Sequence, residues 1–293
     1  MKPNSPDLQS IDDVLRAAVR EDLGAGDITS ASTVPESALA LGRYTTKQSL
    51  VVSGLAVVER LLAIVDSNLQ YRTLCEDGDH VEKGTAIAEV RGSARSVLAA
   101  ERVTLNMLQR MCGIATLTSE YVDRVNGTKA RVADTRKTAP GLRLLDKYAV
   151  VCGGGVNLRM GLFDAVLIKN NHLEFHESIG AAIRAARAAA RPQIEIEVEI
   201  PAPNDVPEAI EAGADMILLD NFTPAQTREA VALCAGRVPL ESSGGITLDT
   251  IRDFAEAGVD RISVGALTHS PPAVDIHLQV THWIESLTNS SLP

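Results

Sequence analysis

Residues 216–234 read MILLDNFTPAQTREAVALC. The opening apolar run at 216–219 is too short for a helix and suits a buried strand. Asp220 and Asn221 end it, and the stretch at 224–234 has a helical pattern. The same rhythm recurs on either side. Runs at 132–133, 165–168, 194–200, 238–240 and 262–264 read as short buried strands, and helical stretches fall at 179–190 and 248–257. Repeated strand-helix units predict a parallel sheet, closed as a barrel or left open. About six or seven units fit the length, fewer than in a regular eight-fold barrel.

Before Gly113 the pattern is different. Leu8, Ile11, Leu15, Ala18 and Val19 form one helical stripe, and Leu55, Val58, Leu61, Leu62 and Val65 form a second. Strand-like pieces lie at 70–74 and 86–91, joined by a turn-rich segment at 76–84. That segment is similar to the hairpin of biotinyl and lipoyl carriers but has no convincing counterpart of the modified lysine, so it reads as structural. A helix at 93–111 closes this part, and the tail after Val274 carries one more helical pattern, expected to pack back on the first domain. The expected division is 1–112, joined by 275–293, and 113–274.

The composition belongs to a globular chain: of 293 residues, 45% are apolar, 23% charged and only 3% aromatic. A core built on Ala, Val, Leu and Ile favours helix-rich and parallel-sheet architecture. The formal charge of -10 argues against nucleic acid or a membrane surface as the main partner. It leaves room for an anionic small molecule if a few cations gather in one cleft. Cys75, Cys112, Cys152 and Cys234 are scattered without a CxxC pair, and free thiols are expected. With no signal-like stretch and no run of membrane-spanning length, the cytoplasm is the expected location.

Polar residues follow each strand. Asp134-Thr135-Arg136-Lys137-Thr138 comes after the first and Lys169-Asn170-Asn171-His172 after the second. Glu197 and Glu199 lie on the third, and Asp220-Asn221 ends the fourth. Glu241-Ser242-Ser243-Gly244-Gly245 belongs to the fifth, and Gly265-Ala266-Leu267-Thr268-His269 follows the last. The C-terminal strand ends of an α/β barrel form one face, so these clusters are expected to converge there. Ser243-Gly244-Gly245 and Gly265-Ala266 suit a phosphate held by backbone N–H groups. Arg136, Lys137, Arg159 and Lys169 supply concentrated positive charge, whereas Arg143 and Arg184 read as solvated surface arginines. Glu195, Glu197 and Glu199 alternate on one strand face, which needs cations or a metal ion nearby if it is buried. Magnesium held partly by one carboxylate and largely by substrate phosphates fits that ion's habit.

Several segments, in order along nearly the whole chain, resemble the motifs of quinolinate phosphoribosyltransferases. They are Glu21-Asp22-Leu23-Gly24-Ala25-Gly26-Asp27-Ile28-Thr29, Glu101-Arg102-Val103-Thr104-Leu105-Asn106 and Thr135-Arg136-Lys137-Thr138-Ala139-Pro140-Gly141-Leu142-Arg143. Lys147-Tyr148-Ala149-Val150 with Gly153-Gly154-Gly155, Leu167-Ile168-Lys169, Leu219-Asp220-Asn221-Phe222 and the glycine turns at 241–245 and 264–269 continue the series. The resemblance implies an N-terminal α/β sandwich domain joined to an incomplete α/β barrel. It also implies a homodimer, or a higher oligomer, whose active sites are shared between subunits.

The implied substrates are quinolinate and phosphoribosyl pyrophosphate. Arg102 would reach quinolinate across the interface, joined by Arg136, Arg159 and Lys169, Thr135 would be a further substrate-binding residue, and Lys137 would serve the phosphoribosyl pyrophosphate. Lys137, Lys169, Glu199 and Asp220 would be the catalytic set, with Glu199 and Asp220 beside the ribose and its Mg2+. Ser243, Gly244 and Gly245, with Val264, Gly265 and Ala266, would hold the 5-phosphate. Two positions depart from the family pattern: Leu158 stands where histidine is usual, and Asn170 where aspartate is usual. Those departures favour, as the rival, a related phosphoribosyltransferase acting on another acid. A non-catalytic homologue is opposed by the retained charged set.

Overall fold

The computed structural model describes residues 7–283. The chain divides into two compact units, Met1–Thr116 with Pro272–Pro293, and Leu117–Pro271. The main elements of the first stretch are α1 (Asp12–Leu23), β1 (Leu39–Thr46), α2 (Leu55–Val65), β2 (Gln70–Thr73), β3 (Ala86–Ser93) and α3 (Ala94–Val125). The second unit contributes β4 (Arg131–Ala133), α4 (Arg143–Cys152), β5 (Val166–Ile168), α5 (Ile179–Ala189) and β6 (Ile196–Glu199). It continues with β7 (Met216–Asp220), α6 (Pro224–Cys234), β8 (Leu240–Ser243), α7 (Ile251–Ala257) and β9 (Arg261–Ser263), before β10 (Ile276–His282) returns to the first unit.

In the first unit β10, β1, β3 and β2 form one antiparallel sheet in that order. Ala40 and Tyr44 of β1, Ala88 and Val90 of β3, and Ile276 and Leu278 of β10 are buried in one core with Leu55, Val58 and Leu62 of α2 and Val97, Leu105 and Leu108 of α3. The second stripe forms α2 as expected; of the first, Leu15, Ala18 and Val19 lie on α1, while Leu8 and Ile11 belong to the short 3-10 turn before it. The turn at 76–84 is structural: Asp77 Oδ2 and Oδ1 accept from the N–H groups of Gly54 and Leu55 at 3.0 and 3.2 Å, capping α2.

Three expectations need correction. The tail at 276–282 is a strand, not a helix, because Ile276, Leu278 and Val280 alternate with polar residues at period two and pair with β1. Residues 284–293, which the helical reading also included, lie outside the described residues. Strand β1 was not anticipated at all. The helix expected at 93–111 runs on to Val125, straight through Gly113. Glycine there serves close packing, since a Cβ would meet the Pro272 carbonyl oxygen at 2.2 Å.

The second unit holds a six-stranded sheet in the order β4-β9-β8-β7-β6-β5, with every pairing parallel. Two strands are displaced from their expected places: the run at 238–240 becomes Leu240–Ser243, and that at 262–264 becomes Arg261–Ser263. The sheet is curled. Arg261 of β9 bonds Glu197 of β6, three positions away in the sheet, a span of roughly 14 Å if the sheet were flat. The described strands leave β4 and β5 at the two edges, and Val156 bridges to Ala133 of β4. Among the described residues no helix is long and apolar enough to cross a membrane. All four cysteines are free thiols, Cys75 half-buried and the others buried.

Candidate active site

The strand ends enclose a cavity of about 470 Å³ in the second unit. Thr135, Arg136 and Lys137 line it from the end of β4, Arg159 from the loop after α4, and Lys169 from the end of β5. Asp220 and Ser243 line it from the ends of β7 and β8. Residues far apart in sequence are thus brought together as the strand-end rule predicts. Arg136 Nε is buried without a partner, although each guanidinium N–H needs an acceptor when removed from water. Burial, and then the neighbouring Arg136, hold the Arg159 guanidinium below its ordinary value. Two guanidinium groups that feel each other's charge make a receptor for paired anionic groups.

Acids stand opposite Lys169. Its Nζ is 3.9 Å from Glu199 Oε2, while Asn170 Nδ2 donates to Glu199 Oε1 at 2.7 Å. Burial, and then the charge of Asp220, push the Glu199 carboxyl up. Asp220 Oδ2 accepts from Asn221 Nδ2 at 3.2 Å. Two mutually repelling carboxylates fit a hard cation held by one or two protein oxygens and completed by phosphates. No cluster of three or more metal-binding side chains exists among the described residues, so a cage made wholly of protein is not offered.

The glycine turns are shaped by close contacts. At Gly244, with φ near 91°, a Cβ would meet Asn221 Oδ1 at 2.2 Å and Asn221 N at 2.8 Å. Gly245 also has positive φ, 62°. Gly265 leaves room for the Lys137 stem, whose Cδ would lie 3.1 Å from an added Cβ, and Ala266 begins the short helix Ala266–His269. Val264 comes just before this turn, with its N–H donated to Ala133 O at 3.0 Å. Arg102 is exposed on α3 in the first unit.

Beneath the cations lies a network that strand-end reasoning overlooked. Arg261 bonds Glu241, and its Nη2 lies 3.2 Å from Glu197 Oε2 and 3.9 Å from Glu195 Oε1. Arg261, Glu195, Glu197 and Glu241 all line the cavity. The sequence signal was the Glu195, Glu197, Glu199 alternation, which demanded a cation without saying which. Arg143 also proves to be no solvated surface residue: it donates to Thr138 Oγ1 and Met160 O, both at 3.1 Å.

Residues 27–112 match the model of the quinolinate phosphoribosyl transferase N-terminal domain, and residues 114–279 that of its C-terminal domain. The chain belongs to the quinolinate phosphoribosyltransferase family. A probable nicotinate-nucleotide pyrophosphorylase [carboxylating] of Bacillus subtilis (strain 168) is 43% identical, over 91% of this chain and 92% of the relative. The nicotinate-nucleotide pyrophosphorylase [carboxylating] of Mycobacterium leprae is 44% identical, over 92% and 96%. Among solved structures, NadC from Streptococcus pyogenes superposes with a TM-score of 0.92 at 38% identity, covering 96% of this chain and 100% of that one. Family membership settles the architecture implied by the motifs: an α/β domain with an antiparallel sheet, and a parallel α/β domain of six strands.

The family's usual histidine and aspartate are replaced within this same site. Leu158 lines the cavity, with its N–H donating to Asp134 Oδ1 at 2.9 Å and its carbonyl accepting from Lys147 Nζ at 3.0 Å. Asn170, by contrast, spends its amide on Glu199.

Proposed function

We propose that the chain transfers the phosphoribosyl group of phosphoribosyl pyrophosphate to quinolinate with decarboxylation, giving nicotinate mononucleotide, pyrophosphate and CO2 for de novo NAD biosynthesis. The observation that carries this reading is the meeting of Arg136, Lys137, Arg159 and Lys169 in one cavity, with Arg136 Nε unpaired. Quinolinate is a dianion and the co-substrate carries several more charges, so fixed cations are the first requirement.

Arg136 and Arg159 would grip the two ring carboxylates, with Thr135 and Lys169 completing the contacts. Lys137 would take the pyrophosphate side. Ser243, Gly244 and Gly245, with Val264, Gly265 and Ala266, would hold the 5-phosphate. Held in this way, the pyridine nitrogen attacks the anomeric carbon and pyrophosphate departs with the electrons of the broken C–O bond. Glu199 and Asp220 would stabilise the positive charge that develops on the ribose. Both carboxylates would also hold Mg2+, which when bound neutralises phosphate charge. CO2 then departs and leaves its bonding electron pair on the ring carbon, a carbanion stabilised by the adjacent quaternary nitrogen, and that pair takes a proton from Lys169 or water. Positioning and charge complementarity supply the acceleration, without a covalent nucleophile.

Arg102 would act on the cavity of a second copy in a homodimer, and the cytoplasm is the proposed location. The rival reading, a phosphoribosyltransferase for another acid, draws on Leu158 in the cavity wall. Purified protein is incubated with phosphoribosyl pyrophosphate, magnesium and either quinolinate or nicotinate. Release of CO2 with formation of the mononucleotide from quinolinate is the expected result. Turnover of nicotinate alone would overturn the proposal.

A further inference from the structure

Helix α4 puts Arg143 and Lys147 four residues apart, on one helical face. Lys147 is wholly buried, which for a lysine demands full pairing. Its Nζ bonds Asp134 Oδ1 and donates to Leu158 O at 3.0 Å. Asp134 Oδ1 also accepts from Leu158 N–H at 2.9 Å. The Asn157 amide, oriented by its neighbours, donates to Asp134 Oδ2 at 2.6 Å and Lys147 O at 2.9 Å. One turn earlier, Arg143 donates through Nε to Thr138 Oγ1 at 3.1 Å, through Nη2 to Arg136 O at 3.4 Å and through Nη1 to Met160 O at 3.1 Å.

Both cations therefore tie the same two segments, 134–138 and 157–160. The first carries Arg136 and Lys137, and the second carries Leu158 and Arg159. We infer that α4 is a bracket, with Arg143, Lys147, Asp134 and Asn157 as positioning residues that set the spacing of Arg136 and Arg159 and so select an acid with two adjacent carboxylates. The inference rests on the reading that these arginines bind the diacid.

Stability is a weak reason for such a pair. A buried lysine and aspartate give up much of their attraction to desolvation, and well-packed apolar residues of similar volume often serve as well or better. What apolar residues cannot do is hold the backbone of Leu158 by its N–H and its C=O together. With both groups fixed, the loop cannot slide relative to the end of β4. The stem of Arg159 is long and flexible; its Nη1 donates to Ala165 O at 3.2 Å, and where the fork stands against Arg136 depends also on where its backbone is anchored. Displacement by about an ångström is enough to cost a large factor in a binding site built on orientation.

The test uses the full-length protein with Arg143→Met, Asn157→Ala and the paired Asp134→Asn/Lys147→Met, which avoids stranding one buried charge. The readouts are melting temperature, amide hydrogen exchange at Leu158, and KM for quinolinate and for phosphoribosyl pyrophosphate. Folded variants should raise the quinolinate KM by roughly tenfold or more, with the phosphoribosyl pyrophosphate KM within about twofold. The quinolinate-to-nicotinate affinity ratio should narrow, exchange at Leu158 should quicken, and Arg143→Lys should recover part of the loss. If the paired variant does not fold, Arg143→Met and Asn157→Ala decide. Unchanged Leu158 exchange together with unchanged quinolinate KM in folded variants would overturn the bracket. If the wild type neither binds nor turns over quinolinate, the functional reading falls. The bracket is then decided by Leu158 exchange alone.

Discussion

Glu197 and Glu241 face the same guanidinium, that of Arg261, from strands that are not neighbours in the sheet. Glu195 lies near as well but is half exposed, so the two buried carboxylates are the ones that depend on this cation. Glu197 Oε1 has no partner. Removing Arg261 would leave the buried Glu241 carboxylate without its cation, beside a Glu197 that already holds its proton. Arg261→Met is expected to destabilise the protein by about 3–5 kcal/mol, the usual cost of breaking one side of a buried ion pair. Urea unfolding reads this directly, and a loss under about 1 kcal/mol would mean that the network is not held by Arg261.

The same network predicts how stability varies with pH. Burial, and then Glu241, push the Glu197 carboxyl up to about 8 from an ordinary 4.5. Between those values the folded chain keeps a proton that the unfolded chain has released, so stability falls as pH rises through the window. The slope for one such proton is about 1.4 kcal/mol per pH unit. Burial also raises Asp134 to about 6 from 3.8, adding a slope of the same sign at lower pH. Glu197→Gln should flatten the fall between about pH 6 and pH 8 in thermal unfolding series. An identical profile in wild type and variant would place that proton elsewhere.

The strand ends were legible because short apolar runs stop at polar residues, and Arg136, Lys137 and Lys169 are local to those stops, whereas Arg159 lies in the loop after α4. Arg261 was not legible, since it begins its strand rather than ending it. Its role depends on curvature that brings β9 opposite β6. Lys147 looks like an exposed helical lysine until Asp134, 13 residues earlier, is seen facing it. The strand at 276–282 needed the open edge of β1 as its partner, and nothing adjacent in sequence supplies one. At Gly113 a residue that usually weakens a helix is required by the Pro272 carbonyl, another contact made at long range.

The cationic cavity makes a direct demand on activity. Arg136→Ala, Arg159→Ala and Lys169→Ala should each lower kcat/KM for quinolinate by well over a factor of ten, roughly 1.4 kcal/mol or more of lost binding to the reacting state. Steady-state kinetics on the purified variants checks this. Near-normal turnover in all three would show that substrate charge is met elsewhere.

Leu158 offers a gain instead of a loss. Its backbone is held at both polar groups, and its side chain lines the cavity. Leu158→His therefore introduces a ring donor without releasing the loop. One added hydrogen bond is worth about 0.5–1.5 kcal/mol, so the quinolinate KM should fall by roughly two- to tenfold. A higher KM would indicate that the leucine packs against the substrate ring.

Arg102 provides the test of shared sites. Arg102→Ala alone and Lys169→Ala alone should each be nearly inactive. In a dimer with exchanged arginines, mixing them creates one intact site in every mixed pair, which joins the barrel of the first variant to the Arg102 of the second. With equal amounts and free exchange, half the dimers are mixed and one of their two sites works. Activity should return to about a quarter of wild type. The measurement is made after subunits are exchanged under mild denaturant, with each variant exchanged against itself as control. Recovery near zero, with mixed dimers demonstrated by mass, would show that Arg102 does not serve a partner's cavity.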